Sequence, residues 1–297
     1  MTISSLTEKK GRSSLVATAA ICAALYAVAN ALTSFISTPF GIGEFRPGIV
    51  IPIFFAIVSG PLPAAIGASV GSFVGDMVSL VPEARSNIVW ALAGGALGNF
   101  LGLLVLGWIF QKLKNWKGFI IGTTIGLVVG NVVASAGVVL TGLYILPASF
   151  TQLGFSTTYA NGLFGLHGGV ASLIFLGLFL FWFGTMFPFA VILDPILVRL
   201  ARPYASRLSV SGDYPEIAEP NRKVVWTWSI IVALLVIGAL LVALFSNSPI
   251  VAGDGGALAW EVLFIFSAIA VILVGAFLPQ ISRQKQEPKQ KVTVSTR

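Results

Sequence analysis

Stretches of about twenty residues without a formal charge recur along this chain, and they limit it to folds that hide their backbone polar groups inside helices. The first, Leu15 to Ile36, contains no Asp, Glu, Lys or Arg. A hydrocarbon core is crossed by roughly 20 apolar residues in helical form, and water is absent there to satisfy exposed amides. Eight spans are readable: Leu15–Ile36, Gly48–Ser59, Pro61–Leu80, Ile88–Phe110, Gly118–Thr141, Leu163–Phe187, Val224–Phe245 and Ala257–Leu278. The second is short, so it is expected to borrow length from its loops or to sit buried among the others. Only 10% of the 297 residues are charged and the mean hydropathy is +0.94, against about 25% charged in a soluble domain. The expected fold class is therefore all-α, a polytopic membrane helix bundle with a six-span body and two additional C-terminal transmembrane helices.

The distribution of basic residues orients the bundle. With the N-terminus inside, eight crossings place sixteen of the eighteen Lys and Arg residues on the cytoplasmic side and leave only Arg46 and Arg85 outside. This is the bias of cytoplasmic loops toward positive charge, and it accounts for the net charge of +7 without nucleic acid. Both termini are expected to be cytoplasmic, in the cell membrane. The first span exceeds a signal-peptide core in length, so it is expected to be retained although Ala27-Val28-Ala29 mimics a cleavage site.

Domain boundaries follow from the same pattern. Residues 1–14 form a cytoplasmic N-terminus, 15–200 the six-span body, 201–223 a polar linker, 224–279 a two-helix hairpin and 280–297 a basic, disordered tail. Pro188 is expected to break or kink the sixth span, and the mixed apolar and basic segment Ile192–Arg202 to lie at the interface. Cys22 is the single cysteine, which excludes an internal disulfide and a cysteine-based metal site. No metal site is expected.

Polar side chains inside such a chain are functional candidates by default, because their burial in lipid is costly. They gather in the expected outer half. Glu44 and Arg46 lie in the first outer loop, within Gly41-Ile42-Gly43-Glu44-Phe45-Arg46-Pro47-Gly48, Asp76 lies near the outer end of the third span, and Arg85 follows in the next loop. Asn99 and Asn131 occupy antiparallel spans at nearly the same depth, so the two amides are expected to face one cavity. Tyr144 and Tyr159 belong to an uncharged, aromatic outer loop suited to covering an organic molecule, and His167 opens the sixth span. In the first span Ala19, Ala23, Ala27 and Ala31 repeat every four residues, a smooth face that a second helix approaches closely, either within the chain or on a partner.

The alanine stripe, the GIGEFRPG loop, the segment from Ile49 to Met77 and the six-span body with its aromatic outer loop resemble the substrate-binding S-component of energy-coupling-factor vitamin transporters. That resemblance covers about residues 12–200. It implies a binding subunit that captures a water-soluble vitamin or related micronutrient from outside and is not itself an enzyme. It binds no cofactor; ATP is used by two cytosolic ATPase partners joined through a transmembrane coupling subunit. It also implies that Ala19, Ala23 and Ala27 dock that coupling subunit, and that Glu44, Arg46, Asn99, Asn131 and His167 fall where the family binds ligand. The C-terminal hairpin departs from the six-span pattern.

Two other classes compete. A secondary transporter would show inverted repeats and ion sites at mid-membrane, and no internal repeat is evident. An intramembrane serine protease would use Ser69 in Gly67-Ala68-Ser69-Val70-Gly71, a spacing that belongs to a strand-to-helix elbow which an apolar span does not supply.

Overall fold

The computed structural model describes residues 3–34, 38, 43–78, 87–146, 148 and 169–204, with side chains from residue 13 onward and, in the last helix, from residue 174. The Val224–Leu278 hairpin, the linker beyond Tyr204 and the tail lie outside the described residues. Within them the chain is all helical: α1 (Ile3–Thr33), α2 (Val50–Val58), α3 (Pro61–Met77), α4 (Ile88–Leu113), α5 (Trp116–Tyr144) and α6 (Gly169–Ala201). Four of them, α1 through Ser13–Thr33, α4, α5 and α6 through Ile174–Tyr204, contain stretches long and apolar enough to cross a bilayer. Large apolar side chains such as Val16, Ile21, Leu25, Val28, Leu97 and Ile121 stand exposed on their outer faces. A bundle with this surface is a membrane-embedded protein.

Local chemistry sets the boundaries. Gly60 adopts φ +103° and Pro61 opens α3 at its first position, where the missing proline N–H has no intrahelical acceptor to lose. Asn87 caps α4 by accepting from the Val89 amide. At the other end of α4, Lys114 turns left-handed and Asn115 accepts from the Gly118 amide to start α5. The expected loop between these spans therefore shrinks to Lys114 and Asn115.

The short α2 is buried along most of its length, with Ile53, Phe55, Ala56 and Val58 all inside. It packs on α3, α4 and α6, as its brevity required. Around it two pairs of helices approach on glycine. In the α1–α3 seam, Gly67, Gly71 and Gly75 lie against the backbone of Ala19, Ala23 and Ala27; a Cβ on Gly71 would sit 2.6 Å from the Ala23 carbonyl oxygen. In the α4–α5 seam, Gly98 and Gly102 face Gly130 and Gly126, and a Cβ on Gly98 would sit 2.6 Å from the Gly130 carbonyl oxygen. Small residues let helix backbones touch where no hydrophobic force between helices exists in lipid. Gly67 and Gly71, which gave Ser69 its protease-like spacing, are thus explained by packing, and Ser69 sits in mid-helix.

Two boundaries differ from the sequence expectation. α1 is helical from Ile3, well before Leu15. α6 does not stop at Phe187: it runs through Pro188 and Pro195 to Ala201, and its continuation buries Ala190, Val191, Asp194 and Val198. Residues 192–201 therefore continue the helix, with one packed and one outward face. Membrane helices tolerate proline when neighbouring helices hold the backbone, and α6 is held by α2 and α5. Asp194 is fully enclosed, and among the described residues neither carboxylate oxygen has a hydrogen-bond partner.

Candidate functional site

The loop from Gly43 to Arg46 carries the first half of the site. Gly43 has φ +81°, a left-handed geometry that favours glycine. A Cβ there would lie 2.4 Å from the Trp182 ring, so the ring of α6 rests directly on the backbone. Trp182 Nε1 donates to the Glu44 carbonyl oxygen at 3.2 Å, and Thr33 Oγ1 donates to that of Phe45 at 3.1 Å. Phe45 meets Phe189 edge-on at 5.7 Å. These contacts tie the loop to α1 and α6 and turn Arg46 inward.

Arg46 then forms a buried polar joint with α3. Its Nη2 pairs with Asp76 and its Nη1 donates to Ser72 Oγ at 2.6 Å; Arg46 is 5% and Asp76 1% exposed. Burial opposes the Arg46 charge, yet the Asp76 carboxylate, Tyr26 and Glu44 outweigh it and hold the guanidinium pKa above its ordinary value. Gly95 of α4 leaves room for the pair, since a Cβ there would lie 2.8 Å from both Asp76 Oδ2 and Ser72 Oγ. Gly95 belongs to a π-helical stretch, Ala91–Ala96, and single π turns inside α-helices frequently mark functional sites.

Between these elements lies a partly open cleft. Arg46 and Asp76 form one side, Trp90 and Trp182 contribute indoles, and Asn99 and Asn131 contribute amides, with Gly98, Gly102, Gly126 and Gly130 between them. The two asparagines do share one cavity, as their depths implied. Asn99 is already engaged: its Nδ2 donates to Gly95 O at 2.8 Å and its Oδ1 accepts a long 3.5 Å contact from Tyr26 Oη. Asn131 is 4% exposed, and among the described residues its Nδ2 has no acceptor. Among the described residues no group of three His, Cys, Asp or Glu side chains is placed to hold a metal ion.

Other candidates fall elsewhere. Glu44 is 1% exposed but is not among the residues lining the cleft; among the described residues its carboxylate has no hydrogen-bond partner. Burial pushes its pKa up to about 7, the Arg46 charge limiting the rise and Asp76 adding to it. Arg46 thus pairs with Asp76, thirty residues away, and not with its neighbour in the loop. Tyr144 is exposed at the end of α5; thirteen residues beyond Asn131, it lies about 220° round the helix from the cleft. Arg85, Tyr159 and His167 lie outside the described residues. Ala19 is buried against α3, while Ala23, Ala27 and Ala31 are half-buried on the same side. The stripe therefore has a partner within the chain.

Sequence reasoning did not single out Trp90, Trp182, Tyr26, Asn30 or Ser72. Asn30 is fully buried, and an asparagine inside an alanine-rich span was the one available signal. Comparison of the chain with protein-family models, curated proteins and solved structures returned no match.

Proposed function

We propose that this chain is the substrate-binding S-component of an energy-coupling-factor importer, a multi-pass protein of the cell membrane with both termini cytoplasmic. It captures a vitamin-like solute from outside and hands it to a transmembrane coupling subunit driven by two ATPases. The supporting observation is the cleft itself: inside an apolar bundle, an ion pair, two amides and two indoles converge on one space, the combination of apolar walls and few oriented polar groups that binds small organic molecules. Docking is assigned to the outward side of α1, where Ala20 and Ala24 stand exposed between Val16 and Val28.

A self-sufficient secondary transporter is the second reading, favoured by two buried carboxylates, Glu44 and Asp194, that have no hydrogen-bond partner among the described residues, since such groups carry protons in gradient-driven carriers. Reconstitution into liposomes separates the two. The binding-subunit reading requires saturable binding without accumulation by the chain alone, and ATP-dependent accumulation with its partners; uptake by the chain alone under a proton gradient would establish the carrier.

A further inference from the structure

The lining of the cleft discriminates by charge. Arg46 and Asp76 are the charged groups among its described lining residues, and they cancel. Two guanidinium nitrogens are committed, to Asp76 and Ser72, and the close approach of Gly95 leaves the pair no slack. An anion entering the cleft would have to draw Arg46 away and strand Asp76 as an uncompensated buried charge, which is costly. Glu44, in the same loop as Arg46, adds a second buried carboxyl group. Among the described lining residues, Arg46 Nε and Asn131 Nδ2 are buried donors without an acceptor, and Asn131 Nδ2 is the neutral one. A site with a buried unpaired donor selects a ligand that supplies the missing acceptor. Gly98, Gly102, Gly126 and Gly130 give the walls a surface without side chains, and the Trp182 indole borders the same space.

We propose that the cleft takes an uncharged, flat ring solute presenting a carbonyl-type acceptor to Asn131, and excludes anions of the same shape. This rests on the binding role proposed above.

The test uses the full chain in lipid nanodiscs and three shape-matched pairs: benzamide and benzoate, nicotinamide and nicotinate, indole-3-acetamide and indole-3-acetate. Equilibrium dialysis at neutral pH measures the retention of each against empty nanodiscs. Amides are expected to be retained at least about tenfold better than their acids. Asp76→Asn, which releases Arg46, is expected to reduce that preference at least about tenfold; an unchanged preference in a folded Asp76→Asn protein overturns the charge argument. Asn131→Asp, which puts an acceptor where the donor stood, is expected to abolish amide retention and keeps the test decisive if Asp76→Asn does not fold. Amide retention that survives Asn131→Asp overturns the assigned contact. Retention of acids equal to or above amides overturns the proposal and leaves the binding role standing. Retention of no member of any pair overturns both.

Discussion

The α1–α3 and α4–α5 seams are built from the same four-residue spacing of small residues, yet one is closed and the other borders the cleft. In the first, Gly67, Gly71 and Gly75 meet Ala19, Ala23 and Ala27 and the backbones press together along the contact. In the second, Gly98 and Gly102 meet Gly126 and Gly130 just as closely, but a π turn lies at one end and Asn99 and Asn131 are set beside the glycines. Spacing alone therefore decides that two helices touch. The polar residues and the irregular turn decide whether the contact also makes a site.

The joint between the seams is expected to be the most sensitive point. Arg46→Ala leaves Asp76 charged and buried, and should cost about 3–5 kcal/mol in unfolding measurements in detergent, whereas Arg46→Met with Asp76→Leu should recover most of it. Recovery that does not appear would mean the pair stabilises the fold beyond neutralising itself. Gly71→Leu and Gly98→Leu should each cost about 1–3 kcal/mol by overpacking, but only Gly98→Leu should also remove ligand retention. Equal loss of retention in both variants would erase the distinction between the seams.

Glu44 adds a pH dependence of similar or smaller size. Its folded pKa of about 7 exceeds the ordinary value of 4.5, so the folded state binds the extra proton. The resulting stability is fully present below about pH 4.5 and is lost as pH rises through 7; the loss between pH 5 and 8 should be on the order of 1–3 kcal/mol. Glu44→Gln should flatten that profile. The smallest effect on stability belongs to Asn131→Ala, within about 1 kcal/mol because no hydrogen bond of its donor is lost, while ligand retention should fall at least about tenfold.

Much of this arrangement was legible because apolar periodicity and helix rise are local. The helical spans through Thr141, the burial of the short second helix and the shared depth of Asn99 and Asn131 all follow from counting residues along an axis. The Arg46–Asp76 pair was not legible in the same way. Both residues were candidates, but thirty positions separate them, and only the inward turn at Gly43 and Trp182 brings the guanidinium to Asp76. Trp90 and Trp182 were hidden among many apolar aromatics, since which face of a buried helix meets a cavity depends on its neighbours. The π turn at Ala91–Ala96 has no spacing signature, and the adjacent glycines in Ala93-Gly94-Gly95-Ala96 gave only a hint of close approach. Pro188 misled for a related reason: its local preference to break a helix yields when packing on both sides holds the backbone.

Native mass spectrometry of the protein released gently from its own membranes tests the central claim most directly. A retained small-molecule mass, present in the wild-type chain and lost in a folded Asn131→Ala variant, is the expected result. A wild-type chain that remains empty, or a retained mass that survives both Asn131→Ala and Trp182→Ala, would contradict the assignment of the cleft as the binding site.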